Sequence, residues 1–260
     1  MKRKGFKGIL LLLSMLFALT GCSVSEATQH GMAVDTIQAE DVLLRVDFLN
    51  VGQADCALLS TNGHYMVIDG GNNGDADTIL SYLEGQGVEK LDAVVGTHPH
   101  EDHIGSLDAI INHFDVDAVY MPKIMHTSKT FEDVLDAVAN KGLKIKSPSP
   151  GDTIDFNGLE IEVLGPQREY KDFNNNSIVL KVNAGETAFL FTGDAEETAE
   201  KDILQADYDL QADVLKVGHH GSSTSSSQAF LQAVKPKYAV ISVGVGNSYH
   251  HPEEEALQRL

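Results

Sequence analysis

The sequence predicts an α/β domain in which two sheets lie face to face with helices on their outer surfaces. Three observations carry this prediction. Strand and helix patterns come in two successive batches, separated by a loop at Pro148, Pro150 and Gly151. Apolar runs repeatedly end in Asp or His, so polar side chains collect at strand ends. The 260 residues, 42% of them apolar, are enough for one good core, and a single domain of this size is ordinary for layered α/β architectures.

The N-terminus reads as an export signal. Lys2, Arg3, Lys4 and Lys7 precede the apolar run Ile9–Leu19, which is too short for a stable membrane span. Leu19-Thr20-Gly21-Cys22 resembles the bacterial lipoprotein box, which makes residues 1–21 a lipoprotein signal peptide and Cys22 the lipidated first residue of the mature chain. Residues 22–40 are small and polar and read as a tether, with the folded domain over 41–260. The expected location is the outer face of a bacterial membrane, held there by lipid. Cys56 is the other cysteine, so lipid on Cys22 leaves no disulfide and a buried thiol at Cys56.

Within the domain, Leu44–Phe48 alternates as a strand does. Cys56–Leu59 and Tyr65–Ile68 are strands joined by a turn at Asn62-Gly63, and Thr78–Glu84 is a short helix. Ala93–Val95 is a buried strand, Ser106–Phe114 a helix, Ala118–Met121 a strand, and Phe131–Lys141 an amphipathic helix ended by Gly142. After the central loop, Thr153–Phe156 and Glu160–Leu164 pair around Asn157-Gly158. Ser177–Val182 and Thr187–Phe191 form the next hairpin. A helix over 196–204, a strand over 214–217, a helix over 227–234 and a strand over 238–242 follow, and 253–260 starts a helix on which the sequence stops.

The formal net charge is −19. Loss of the leader removes four basic residues and no acids, leaving 15 basic against 38 acidic residues, or −23. Such a charge keeps the chain soluble and repels polyanions. Tight sequence-independent DNA binding needs a basic track, and none is visible, which counts against a processive nuclease. Small, neutral or cationic-headed substrates remain compatible.

The densest chemistry lies in Thr97-His98-Pro99-His100-Glu101-Asp102-His103, directly after the strand Ala93–Val95 and its stop at Gly96. Imidazole and carboxylate are good zinc or manganese ligands. The spacing suggests two cations, one on His98 and His100, the other on Asp102 and His103. Other polar groups also follow apolar runs: Asp69 after Val67-Ile68, Asp194 after Phe189–Phe191, and His219-His220 after Val214–Val217. Buried charge at a sheet edge is costly unless paired or ligated, and a shared metal centre removes that cost for the whole group.

The signature His98-x-His100-x-Asp102-His103, with Asp69-Gly70-Gly71 before it and Gly193-Asp194 and His219-His220 after it, resembles the metallo-β-lactamase superfamily. The resemblance implies an αβ/βα four-layer sandwich and a dinuclear metal site. Asn50–Asp55, Asn174–Leu180, Phe191–Asp194, Leu215–Ser222 and Ser242–Gly244 with Asn247, Tyr249, His251 and Pro252 narrow it. These segments resemble the hydrolase domain of ComEC-type competence proteins and their free-standing relatives. Ala54 departs from the Gly that this family often carries. The chain also stops before the strand with which the fold closes, so the expectation is a domain shortened at its C-terminus.

The resemblance implies that His98, His100 and one of His219 and His220 bind the first of two divalent ions, zinc or else manganese. Asp102 and His103 bind the second, and Asp194 bridges both. Asn174 stands where many relatives place a histidine and is carried over as a further first-metal ligand. Asp69 supports the histidines from behind. The expected chemistry is attack on phosphorus by a hydroxide shared between the cations, with Asp102 orienting it and His251 either protonating the leaving oxygen or holding a phosphoryl oxygen. The resulting expectation is a phosphodiesterase whose substrate is a small molecule, an envelope phosphodiester or DNA, with no obligate protein partner evident. Two alternatives stand beside it: a metallo-hydrolase of carboxylic esters, lactams or thioesters, which Asn174 disfavours, and a non-catalytic metal-holding lipoprotein.

Overall fold

The computed structural model describes residues 43–260; the leader, Cys22 and the tether expected over 22–40 lie outside the described residues. The first half contains β1 (Arg45–Phe48), β2 (Ala57–Thr61), β3 (His64–Ile68), α1 (Ala76–Gly85), β4 (Lys90–Leu91) and β5 (Ala93–Val95). It continues with α2 (Glu101–Ile104), α3 (Leu107–His113), β6 (Asp115–Val116), β7 (Val119–Tyr120), α4 (Lys129–Asn140) and β8 (Ile145–Lys146). The second half contains β9 (Thr153–Phe156), β10 (Leu159–Gly165), β11 (Val179–Ala184), β12 (Thr187–Phe191) and α5 (Glu197–Gln205). It closes with β13 (Val214–Lys216), α6 (Gln228–Val234), β14 (Tyr238–Val240) and α7 (Glu254–Arg259).

Two six-stranded sheets result, in the orders β1-β2-β3-β5-β7-β8 and β14-β13-β12-β11-β10-β9, and the chain passes from one to the other between β8 and β9. The proline loop over 148–151 is therefore the boundary between the halves. Each sheet is antiparallel where hairpins join its strands and parallel where helices do: β3, β5, β7 and β8 run parallel, as do β12, β13 and β14. Both Asn-Gly hairpins form as the residue types demand, with Asn62-Gly63 at φ 49° and 80° and Asn157-Gly158 at φ 50° and 82°.

Three apolar clusters define four layers. Between the sheets, Leu59, Met66, Ile68 and Val95 meet Phe156, Ile161, Val163 and Leu180. Outside the first sheet, Val67 and Val94 pack against Ile79 of α1, Ile110 of α3 and Val134 of α4. Outside the second, Leu190 and Leu215 pack against Ile203 of α5 and Phe230 of α6. Alternate residues of one strand thus feed different layers, as the two-residue period requires. Helix α4 starts as its sequence suggests: Ser128 Oγ accepts from the Phe131 backbone N–H.

The structure departs from the sequence reading at short elements. The sequence reading assigns no helix to the histidine stretch, yet Glu101–Ile104 forms a helical turn. β4, β6 and β8 are two residues each. Elements this short carry too few residues to express a period, and only their tertiary partners define them.

Candidate metal centre

Strand pairing brings the polar ends together. Ile68 pairs with Val95 in the parallel β3–β5 ladder, so Asp69 and Gly96 leave the sheet side by side. The Asp69 backbone N–H continues the ladder to Val95 O at 2.8 Å. Its carboxylate accepts from Thr97 N at 2.7 Å and Thr97 Oγ1 at 2.9 Å. The chain then passes His98 and His100 and enters α2, whose single turn carries Asp102 and His103. In the second sheet Phe191 pairs with Lys216, and beyond both strand ends His219 N donates to Gly193 O at 3.1 Å.

The two sheets are tied directly at this edge. Ile178 N donates to Thr97 O at 2.9 Å, and beside it, within the second half, Asp194 N donates to Ser177 Oγ at 3.0 Å. Gly193, at φ +51°, sits where they meet; a Cβ there would lie 2.9 Å from both Ser177 Oγ and Thr97 Oγ1. Glycine lets the Asp194 turn approach the histidine loop this closely.

Asp194 stands at the centre of two sets of side chains. Its Oδ2 faces His98 Nε2 at 3.7 Å and His219 Nε2 at 3.7 Å, and His98 Nε2 is 3.0 Å from His100 Nδ1. Its Oδ1 faces His103 Nε2 at 3.1 Å and His220 Nε2 at 3.8 Å, and His220 Nε2 is 3.2 Å from Asp102 Oδ2. The potential ligand atoms of Asp102, His103, Asp194 and His220 all lie within 4.8 Å of one another. His219 and His220 can serve opposite sides because both adopt left-handed backbone, at φ 49° and 54°. Two consecutive non-glycine residues in that region are held there only by surrounding structure. The sequence reading placed one of the two histidines in the first set; the geometry gives His219 to that set and His220 to the other.

The donor set fits divalent cations. His103 Nδ1 is 2.9 Å from Asp69 Oδ2, which leaves Nε2 turned toward Asp194. His103 Nε2 and Asp194 Oδ1 are both buried without a hydrogen-bond partner, despite being 3.1 Å apart. Two orphaned lone-pair atoms aimed at one point are what a shared cation satisfies. Imidazole and carboxylate are the donors of zinc and related sites.

Electrostatics sharpen the picture. Burial, with His103 adding to it, pushes His98 well below its usual value, so that it is a neutral donor. Burial also lowers His100. Burial opposes ionisation of Asp194, but His103 and His220 beside it hold it well below the usual carboxylate range. Asp102 is held down as well: burial works against this, and the His220 hydrogen bond and His103 outweigh it. Burial likewise opposes protonation of His220, yet Asp194, Asp55 and Asp102 raise it to about 10. Where protons are the only cations present, they sit on His103 and His220, on the Oδ1 side of Asp194, and not on His98.

The remaining candidates lie at the rim or behind. Asn174, in a short 3-10 turn, has a buried Oδ1 without a partner, while its amide donates to Glu196 Oε1 at 3.3 Å. The His251 ring is 5.5 Å from that of His219, its Nδ1 is 3.4 Å from Gln53 Nε2, and Tyr249 stacks on it at 5.7 Å. Gln53, His100, Asn174, His219, Tyr249 and His251 line an open pocket of about 470 Å³ above Asp194. Sequence reasoning gave no role to Glu196, Ser177 or Asp55, each of which touches a histidine. Glu196 Oε1 lies 3.2 Å from His219 Nδ1. Ser177 Oγ lies 3.3 Å from His98 Nδ1. Asp55 Oδ1 lies 3.4 Å from His220 Nδ1. Glu196 had a weak signal, two residues past Asp194; the others had none apart from their place in the quoted segments.

Comparison with known proteins agrees with this geometry. Residues 49–245 match the metallo-beta-lactamase superfamily. ComE operon protein 3 of Bacillus subtilis (strain 168) is 32% identical over 234 residues, covering 83% of this chain and 30% of that protein. The chain therefore spans under a third of that relative's length. A hydroxyacylglutathione hydrolase of Aeromonas salmonicida (strain A449) is 27% identical over 198 residues, covering 73% of this chain and 69% of that one. Among solved structures, the metallo-beta-lactamase fold protein YhfI from Bacillus subtilis aligns with a TM-score of 0.56 at 13% identity, over 84% of this chain and 93% of that one, a likeness of fold. The chain belongs to the metallo-beta-lactamase superfamily and is related within it to the competence proteins.

Proposed function

We propose, from that membership, that the chain is a metal-dependent phosphodiesterase held on the outer face of a bacterial membrane by lipid on Cys22. The observation that carries the reading is the division of six side chains about the two oxygens of Asp194. His98, His100 and His219 would hold one divalent cation, Asp102, His103 and His220 the other, and Asp194 both. Zinc suits these donors, and manganese is the next best fit. When bound, such a pair supplies a water nucleophile at neutral pH and positive charge for the phosphoryl oxygens.

The chain's own residues do the rest. Asp102, at the floor of the pocket and with one oxygen against His220, orients the attacking water and takes its proton. His251, held by Gln53 at the rim and kept neutral by burial and the neighbouring His219 and His220, gives an N–H hydrogen bond to the leaving oxygen or to a phosphoryl oxygen. Asn174 offers an amide oxygen to a cation or a phosphoryl group. The strongly negative chain favours a compact diester or one with a neutral or cationic head over a long polyanion. An envelope phosphodiester such as a choline-bearing teichoic acid is compatible with that charge. The relationship to competence proteins supports a nucleic-acid substrate instead, and weak DNA affinity with a shallow salt dependence is then expected.

One observation favours a second reading. The similarity to a hydroxyacylglutathione hydrolase runs over 69% of that protein, which supports hydrolysis of an acyl ester or thioester at the same centre. The deciding experiment is turnover of bis-p-nitrophenyl phosphate against nitrocefin and an acyl thioester, by the metal-loaded chain and by Asp102→Ala. Diester turnover that disappears in the variant supports the phosphodiesterase. Acyl or lactam turnover without diester turnover moves the assignment to the second reading. Stoichiometric metal with no turnover on any substrate makes the chain a metal-holding lipoprotein.

A further inference from the structure

Asp55 and Lys216 form a fully buried ion pair that the proposed chemistry does not use. Asp55 Oδ2 and Lys216 Nζ are 2.6 Å apart, with side-chain exposures of 6% and 5%. A buried ion pair is a poor way to gain stability, because desolvating two charges offsets their attraction. Its position suggests another role. Asp55 lies between β1 and β2 in the first half of the chain, and Lys216 ends β13 in the second.

Both partners are tied to the metal centre. The Asp55 backbone N–H donates to Asp102 O at 3.0 Å, and its carbonyl accepts from Gly71 N at 2.8 Å. The Asp55 loop is thus fastened to the turn bearing Asp102 and to the Asp69–Gly71 segment. The side chain reaches behind two histidines: Oδ1 is 3.4 Å from His220 Nδ1, and Oδ2 is 3.9 Å from His103 Nδ1. Asp55 Oδ1 has no hydrogen-bond partner of its own, and His220 Nδ1 lies 3.0 Å from Ser242 O. Lys216 Nζ also donates to Val217 O at 3.0 Å, at the start of the run into Gly218, His219 and His220.

We propose that the Asp55–Lys216 pair is a positioning device for the cation set on the Oδ1 side of Asp194. Lys216 carries the second sheet's register to a fixed point on the first. Its charge lets Asp55 stand behind His103 and His220 as a neutral pair rather than a free carboxylate. Asp69 Oδ2 and Ser242 O hold the outer nitrogens of His103 and His220, and the Asp55 carboxylate backs both rings, whose Nε2 atoms face Asp102 and Asp194. Outer partners of metal-binding histidines commonly alter metal affinity by about 10–100-fold. His98, His100 and His219 have no contact with the pair, so the effect is confined to one of the two sites. The inference rests on the proposed two-cation centre.

The test is stepwise metal binding to the full chain in detergent. Zn²⁺ titration followed by calorimetry and elemental analysis is paired with the absorption spectrum of bound Co²⁺, which reports ligand geometry without substrate. The wild type is expected to take two equivalents; fewer would count against the two-cation reading itself and be seen before any variant is made. Lys216→Met and Asp55→Asn are each expected to bind the first equivalent as wild type does. Each is expected to bind the second about 10–100-fold more weakly, with an altered Co²⁺ spectrum for that equivalent alone. The double variant is expected to be no worse than either single one, and Lys216→Arg to restore most of the affinity. Wild-type binding of both equivalents by either folded single variant overturns the proposal. So does equal weakening of both equivalents. If neither single variant folds while Lys216→Arg does, the pair is a stabilising contact and the positioning role is likewise rejected.

Discussion

His103 Nε2 and Asp194 Oδ1 stand 3.1 Å apart, with no hydrogen bond to any other group among the described residues. His103 belongs to the helical turn after the histidine loop, and Asp194 to the end of a strand in the opposite sheet. Their meeting makes Asp194 the one carboxylate common to both sets. Asp194→Ala is expected to lose tight binding of both cations and to lower turnover by roughly a thousandfold, since metal charge contributes several kcal/mol to such reactions. Elemental analysis after dialysis and steady-state assay check this, and full retention of metal by the variant would contradict the bridging role.

Metal uptake is expected to depend on pH with a definite sign. Burial opposes protonation of His103 and His220, but Asp194 leads the groups that raise both, His220 to about 10. Below their raised values the imidazoles carry protons that an arriving cation must displace. Apparent affinity therefore rises with pH, by roughly tenfold to a hundredfold per unit between pH 6 and 8 for one or two protons released. Competition with a calibrated chelator measures the slope, and a flat profile would show that these imidazoles do not ligate.

Glu200 couples stability to pH by a different route. It is buried on α5 and accepts from Ser226 N at 2.5 Å and Ser227 N at 2.9 Å, fastening α5 to the start of α6. Burial raises its pKa above the ordinary 4.5. Between the ordinary and the folded value the native state binds more protons than the unfolded one. The group's contribution is thus greatest at and below about pH 4.5 and declines as pH rises through the folded value. Glu200→Ala strands two buried donors and is expected to cost about 2–4 kcal/mol at neutral pH. Urea unfolding should show the gap to wild type narrowing from pH 4.5 upward and then holding constant.

Gly105 closes the turn that carries Asp102 and His103. A Cβ there would lie 2.2 Å from the Asn72 carbonyl carbon and 2.3 Å from Asn73 N. The backbone is helical at φ −55°, so the obstacle is contact, not conformation. Gly105→Ala is expected to destabilise by about 1–3 kcal/mol and to lower kcat by displacing the turn. Thermal melting and assay of the soluble variant test both; unchanged stability would mean that the Asn72–Asn73 segment yields freely.

How much could be read in advance depended on the kind of signal. The Asn-Gly hairpins and the strands ending at Ile68, Val95 and Phe191 were legible because turn chemistry and apolar runs act locally. Asp69, Asp194 and the histidines were legible as polar residues that no strand end would bury alone. The turn at Glu101–Ile104 was not, since four residues show no helical period. Lys216 was read as part of the strand over 214–217 and of the segment Leu215–Ser222, without its ion pair, because its partner Asp55 belongs to the other half of the chain. Glu196 and Ser177 touch histidines only through the folded path of the backbone.

The sequence by itself determined which residue types were available for a metal centre and that they would stand at strand ends, because burial and breaker residues are properties of short segments. Tertiary structure alone decided which nitrogen faces which oxygen. Parallel register sets Asp69 beside Thr97 and brings the Asp194 and His219 turns into contact. Left-handed backbone at two successive histidines sends His219 and His220 to opposite sides of one carboxylate. Such backbone is sustained by contacts from distant segments, and no pattern along the chain encodes it.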